Sequence, residues 1–167
     1  MTDDEFMKIT ALQEYGLRCL LQLAEGRGRP VQIHAIAEME GISPDYVGKI
    51  LTRLRKTGLV KSVRGLNGGY MLSKDPEEMS VGPVILSLSE KPIELSHLKR
   101  DLCGQFPGDR KECVHLKACN VRQIWSMVVL QVYGKLNQIS LSSLLGPEAE
   151  VHDNLTKLIK KEEVTVS

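Results

Sequence analysis

The chain has 167 residues, of which 42% are hydrophobic, 26% are charged and 4% are aromatic. This composition excludes a disordered tail, a collagen and a small disulfide-stapled protein, and it predicts one or two small domains with a hydrophobic core. The net charge of +1 conceals a local excess of positive charge, because residues 46–74 contain Lys and Arg but no acid. A basic stretch in a neutral chain indicates contact with an anion at a defined place.

The N-terminal residues show no signal-peptide pattern, and no apolar run approaches the roughly 18 residues that suggest a membrane span. We therefore expect a cytoplasmic protein without a membrane partner. Cysteines stay reduced in that compartment, so the four cysteines favour thiol or metal chemistry over disulfides.

Apolar residues at helical spacing predict a first helix over residues 8–25, which Gly26 ends. The alternation at 31–33 predicts a short strand, and a short helix follows that ends at Gly41. The next helix has clear start signals, because Ser43 is a favoured N-cap and Pro44 suits the first helical position.

Alternation at 60–63 predicts a strand, and glycines at 65, 68 and 69 predict a turn into a partner strand at 70–72. Residues 31–73 therefore have the order of a winged helix-turn-helix. The competing interpretation is a generic α+β domain with a surface hairpin. Basic residues on both the second helix and the wing favour DNA binding.

The predicted fold class is mainly α with a small β-hairpin wing, and a long helix at 121–136 follows a helix at 81–89. The long helix is apolar on more than one face, which favours a homodimer over a core helix in a monomer. A short helix is predicted at 139–145. The predicted domains are a winged helix-turn-helix DNA-binding domain at 7–80, a connecting helix and cysteine loop at 81–120, a dimerisation helix and short final helix at 121–146, and a flexible charged tail at 147–167.

A recognition helix places its first turns in the major groove, where base edges differ. Lys49 and Arg53 are the leading candidates for guanine or phosphate contacts, whereas Asp45 suits either cytosine or the helix N-terminus. Arg64 on the wing is a candidate for the minor groove. For each charge the alternative is an ordinary solvated side chain. The predicted DNA contacts are Ser43, Asp45, Tyr46, Lys49, Arg53, Arg64, Asn67 and Gly68.

Three cysteines, Cys103, Cys113 and Cys119, lie in a loop that leads into the long helix. Grouped thiolates suit an iron–sulfur cluster or zinc, and a helix start favours the thiolate of Cys119. His115 is the local candidate for a fourth ligand, although such loops also act as redox switches or carry no chemistry. Cys19 falls on the apolar face of the first helix, so we expect a small core residue.

The sequence resembles the Rrf-two family of bacterial winged-helix regulators, whose cluster-sensing members are the IscR and NsrR types. The resemblance covers about residues 7–146, and its most specific parts are the wing and the three cysteines before the long helix. The matching stretches are residues 8–10, 14–18, 41–46, 54–60 and 63–72.

The resemblance implies a homodimeric repressor or activator that binds a double-stranded DNA operator under the control of a 2Fe–2S or 4Fe–4S cluster. It implies that Cys103, Cys113 and Cys119 hold the cluster. Two features depart from the family: the first gap between cysteines is longer, and Arg122 replaces the histidine of IscR-type members. NsrR-like members use an acid that reaches in from the other subunit, and that position is Glu14 here. We therefore prefer Glu14 to His115 as fourth ligand; the alternative for Glu14 is a solvated charge.

Two other functions compete with the cluster-controlled regulator. One keeps the DNA binding but uses the cysteines as thiol sensors, or responds to a partner enzyme. The other is a small iron–sulfur electron carrier, which would need neither the basic helix nor the wing. The sequence contains no Walker loop, G-x-S-x-G or H-E-x-x-H motif, so we expect no enzyme.

Overall fold

The computed structural model describes residues 9–65, 67–89 and 109–163. Cys103 and the first part of the predicted cysteine loop lie outside these residues, as do Leu66 in the wing turn and residues 164–167 of the predicted tail. The elements are α1 (Ala11–Glu25), α2 (Ile33–Glu40), α3 (Pro44–Lys56), β1 (Val60–Val63), β2 (Gly69–Leu72), a 3₁₀ helix (Pro76–Glu78), α4 (Val81–Leu88), α5 (Asn120–Gln138), a second 3₁₀ helix (Leu141–Leu144) and α6 (Glu148–Glu163).

Helix α1 begins later than predicted because Thr10 caps it. The Thr10 hydroxyl accepts a hydrogen bond from the Gln13 backbone N–H, and the Gln13 side chain accepts one from the Thr10 N–H. This capping box satisfies two amides that the helix itself leaves without acceptors. Gly26 ends the helix, as predicted.

The predicted strand at 31–33 is wrong in extent. Only Val31 pairs, through two backbone hydrogen bonds with Tyr70 of 2.8 and 2.9 Å. Gln32 is the extended N-cap of α2, and Ile33 is already helical. Short apolar runs fit both strand and helix patterns, and here Ile33 continues the helical spacing of buried Ile36 and Ala37.

The capped start of α3 is confirmed: the Ser43 hydroxyl accepts a hydrogen bond from the Tyr46 N–H, and Pro44 occupies the first turn. Strands β1 and β2 pair antiparallel with Val60 opposite Leu72, so the predicted wing is confirmed. One core joins the apolar faces of α1 to α4 and the base of the wing. Its largest fully buried side chains are Leu20, Leu23, Ile36, Ile50, Leu51, Leu54, Leu88 and Leu141.

The second half of the chain returns to the DNA-binding unit. Helix α5 packs along α4, where Gly82 lies against Asn137 and the ring of Tyr133. The predicted final helix at 139–145 is a shorter 3₁₀ helix over Leu141–Leu144, which inserts Leu141 into the core. None of the helices in the described ranges is both long and apolar enough to cross a bilayer.

The charged tail predicted at 147–167 is helical over most of its length, because Glu148–Glu163 forms α6. Its abundant charges suggested disorder, but Val151, Leu155 and Leu158 recur at helical spacing and are half-buried. The Pro147 carbonyl accepts the first amides of this helix. Acidic residues in the first turn, Glu148 and Glu150, also suit a helix N-terminus.

Candidate nucleic-acid interface and cysteine segment

The first half of α3, the start of α2 and the wing enclose an open groove. Its floor is formed by α3, and its far wall is formed by the end of β1 and the start of β2. The residues that line it are Gln32, Ile33, His34, Pro44, Asp45, Gly48, Lys49, Thr52, Ser62, Val63, Arg64, Gly65, Gly68, Gly69 and Tyr70.

Close backbone contacts shape the wing turn and place it against Val31, just before α2. A Cβ atom at Gly69 would lie 2.4 Å from the carbonyl oxygen of Val31, and one at Gly68 would lie 2.4 Å from that of Val63. Both contacts are far inside van der Waals distance, so these positions require glycine for steric reasons. The bridge between Val31 and Tyr70 can form only because of this approach.

The structure brings four predicted DNA contacts together in the groove, namely Asp45, Lys49, Arg64 and Gly68. Ser43 and Asn67 are exposed nearby, at the α3 cap and the wing turn respectively. Sequence reasoning missed Gln32, His34, Thr52 and Ser62, which also line the groove. Thr52 was detectable, because it lies three residues after Lys49 and so shares its helix face.

The structure places Tyr46 and Arg53 outside the groove. The Tyr46 ring packs edge-on against Tyr15 at 5.9 Å between ring centroids, so this side chain contributes to the core. The half-buried Arg53 donates from Nε to the Ser87 carbonyl at 3.3 Å and from Nη2 to the Ser89 carbonyl. Carbonyls at a helix C-terminus lack partners within the helix, which explains why they accept a guanidinium.

Cys119 is the N-cap of α5. Its Sγ accepts a hydrogen bond from the Arg122 backbone N–H at 3.3 Å, and the side chain is half-buried. The Arg122 guanidinium donates to the Leu116 carbonyl at 2.9 Å and so closes the preceding loop onto the helix.

Cys113 is half-buried on a turn, where its carbonyl accepts a hydrogen bond from the Leu116 N–H at 3.2 Å, and His115 is exposed. No three His, Cys, Asp or Glu side chains within the described ranges gather into a metal site. Glu14 is exposed and forms a 2.7 Å ion pair with Arg18 of the same chain. The proposed cluster ligands are therefore not assembled by the described part of one chain.

Cys19 is fully buried in α1, as predicted for a core residue. Burial, with a smaller contribution from the charge of Glu40, raises the pKa of the Cys19 thiol to about 12. The neutral thiol is a poor nucleophile and a poor metal ligand near neutral pH. Cys19 is therefore not a candidate for thiolate or metal chemistry.

Helix α5 exposes a continuous apolar arc. Val121, Ile124, Trp125, Val128 and Val132 fall within about 100° around the helix axis. Each is at least 37% exposed in the single chain. Exposed apolar patches of this kind usually mark an interaction surface.

Comparison with known proteins places these features in one family. The family described as "Rrf2: Iron-dependent Transcriptional regulator" matches residues 9–147. The chain belongs to the Rrf2 family. Protein rrf2 of Nitratidesulfovibrio vulgaris is 34% identical over 83% of this chain and 87% of its own length. The transcriptional regulator IscR of Serratia proteamaculans is 34% identical over 84% of this chain and 80% of its own.

Two solved structures extend the likeness to the fold. IscR of T. potens superposes with a TM-score of 0.62 at 29% identity and covers 82% of this chain and 85% of its own. CymR, described as the global cysteine regulator of B. subtilis, has a TM-score of 0.62 at 27% identity, over 82% and 95% of the two chains. The predicted fold class and family are thus confirmed, and this Rrf2 protein is a DNA-binding transcriptional regulator rather than an enzyme.

Proposed function

We propose that this Rrf2 regulator is a homodimer whose affinity for a two-fold symmetric operator is controlled by an iron–sulfur cluster. Cys103, Cys113 and Cys119 are its proposed thiolate ligands, and Glu14 of the partner subunit is the proposed fourth. The observation that carries the proposal is the position of the Cys119 Sγ, which caps the helix packed against α4.

Soft thiolate ligands support a cluster over a hard metal ion. Cys119 accepts a backbone N–H at the α5 N-terminus, and Cys113 is half-buried six residues earlier, so both are suited to ligation. When bound, the cluster would supply a centre whose redox state or loss changes the local charge. The IscR relative and neighbour support this assignment by family likeness.

The groove supports the proposed DNA contacts. Lys49 and Arg64 are both exposed and line it, Lys49 on its α3 floor and Arg64 on the wing. A recognition helix in the major groove with a wing over the neighbouring backbone uses cations in this arrangement. Phosphate contacts by such side chains release condensed counterions, so binding is expected to weaken steeply with salt.

Replacing Lys49 or Arg64 with alanine is expected to lower operator affinity by about 1–3 kcal/mol each, because each removes a contact to a base or phosphate. Affinity would be measured by fluorescence anisotropy over a series of salt concentrations. Lys74→Ala is the matched control, since it removes an exposed cation that does not line the groove. Equal losses in all three variants would indicate a general charge effect and contradict the groove as the interface.

The cluster is tested with protein purified without oxygen. We expect visible absorption bands together with iron and acid-labile sulfide, and operator affinity that differs between the cluster-loaded and chelator-treated protein. Colourless protein without iron or sulfide, still binding the operator, would overturn the cluster while leaving the DNA-binding function standing.

The ligand set makes a more specific prediction. Serine at position 103, 113 or 119 is expected to prevent cluster assembly, because each change removes a soft donor. Glu14→Ala is expected to leave a labile or spectrally altered cluster, since a carboxylate is a weaker donor. Cys19→Ser is the control and should retain the cluster, because Cys19 lies in the core.

The measurements are the absorption spectrum and cluster lifetime after anaerobic reconstitution. Glu14→Ala and His115→Ala would be compared side by side. Both side chains are exposed in the single chain, so the two changes are comparable. A cluster disturbed by His115→Ala and unaffected by Glu14→Ala would show that the fourth ligand is local.

A thiol-based regulator is the second candidate. The likeness to the cysteine regulator CymR favours it. It predicts colourless protein whose operator affinity changes with oxidants and recovers with reductants. Cluster-dependent absorption in anaerobic protein would instead exclude it.

A further inference from the structure

Arg53 joins the recognition helix to the end of α4. Its guanidinium donates to two carbonyls in and after the last turn of that helix, those of Ser87 and Ser89. Arg53 lies four residues after Lys49, which is about 6 Å along the helix axis. Helix α3 thus places Lys49 in the groove and contacts the end of α4 through Arg53.

The end of α4 is also held by α1. The Gln13 side chain donates from Nε2 to the Ile85 carbonyl at 3.4 Å and to the Ser89 hydroxyl at 3.1 Å. Leu88 is fully buried against Gly16, where a Cβ atom would lie 2.6 Å from Leu88 Cδ1. With so little free space, a displacement of the last α4 turn must displace its neighbours.

The last α4 turn stands between two functional regions of the chain. It contacts α3 on one side, and along the sequence Ser89 is followed by the segment that contains Cys103. Arg53 was predicted to contact DNA, but its Nε and Nη2 donate to carbonyls at the end of α4, so a role in the geometry of α3 explains these contacts better.

We propose that Arg53 is a positioning residue, which couples the end of α4 to the angle at which α3 presents Lys49 to DNA. A change at Cys119, which caps the helix α5 packed along α4, is then transmitted to the recognition helix through this guanidinium. This second step rests on the proposed control of the regulator by its cysteines.

The first test separates positioning from direct DNA contact. Arg53→Gln is expected to lower operator affinity about tenfold without changing the salt slope, which is the slope of the logarithm of affinity against the logarithm of salt concentration. A lost phosphate contact would instead reduce that slope by about one. Arg55→Gln is the matched control, since it removes a neighbouring exposed cation on the same helix. A smaller slope for Arg53→Gln, or unchanged affinity, would overturn the positioning role.

Arg53→Lys keeps the charge and is the milder change if the glutamine variant folds poorly. An ammonium is a point charge and cannot hold two separate carbonyls as the planar guanidinium does. We therefore expect Arg53→Lys to lose most of the affinity lost by Arg53→Gln, again at an unchanged salt slope. Full affinity in Arg53→Lys would show that charge alone is required, which contradicts the proposal.

A double-mutant cycle with Cys119→Ser tests the coupling. The factor by which Cys119→Ser changes operator affinity should shrink toward one in the Arg53→Gln background. An equal factor in both backgrounds would overturn the coupling. No effect of Cys119→Ser in the wild type would contradict the proposed function and the coupling together, and the salt slopes would still decide the positioning role.

Discussion

Replacing Gly69 with valine is expected to abolish specific operator binding while most of the helical fold persists. A Cβ atom here would lie 2.4 Å from the Val31 carbonyl oxygen and 2.7 Å from its carbon, and neither backbone atom can turn aside. The Val31–Tyr70 bridge must therefore open, and the wing that carries Arg64 leaves the groove. Losing several contacts of about 1–3 kcal/mol each amounts to at least about 100-fold in affinity.

Operator titration by anisotropy would measure this loss, with circular dichroism to follow the helices. Gly134→Ala is the folding control, since nothing lies within 4 Å of its new Cβ and Gly134 is exposed on α5 away from the apolar arc. That change should leave the melting temperature unchanged or raise it, because alanine favours a helix over glycine by up to about 1 kcal/mol. Wild-type operator affinity in Gly69→Val would show that the wing does not depend on this close approach.

The winged helix could be predicted because its signals are local. Ser43 and Pro44 mark the start of α3 within two residues, and the Ser43 hydroxyl takes the predicted role. Glycines at 68 and 69 stand where β2 meets neighbouring backbone. The burial of Cys19 followed equally from its place on the apolar face of α1.

The remaining site residues depend on contacts between distant parts of the chain. The partners of Arg53 lie 34 and 36 residues away, at the end of a helix whose direction no local pattern specifies. Tyr46 fits both a buried and an exposed helix position, and its packing on Tyr15 decided between them. His34 and Gln32 reach the groove only because the wing folds back onto Val31.

Helix α6 shows a different limit of composition-based reasoning. Its many charges outweighed three apolar residues at helical spacing, all of which are half-buried. Residues 148–163 also lie beyond the part of the chain that matches the Rrf2 family. Family likeness therefore gave no reason to expect an ordered element there.

The last prediction concerns the proposed dimer. Replacing Val128 with glutamate is expected to raise the dimer dissociation constant by at least about 100-fold. Val128 is 37% exposed in the single chain and lies among Trp125 and Val132 on the apolar arc of α5. A partner helix packed there would bury an unpaired carboxylate, which costs about 3 kcal/mol or more. Two-fold symmetry places the substitution at the interface twice.

Sedimentation over a range of micromolar concentrations would measure the dissociation constant. Gln123→Glu is the matched control, because it adds the same charge to an exposed position about 140° around the helix from Val128. It should leave the dimer intact. Operator affinity should fall with the dimer in Val128→Glu, since a monomer contacts only one half-site. A Val128→Glu protein that stays dimeric would place the interface on another surface, and the apolar arc of α5 would then need a different partner.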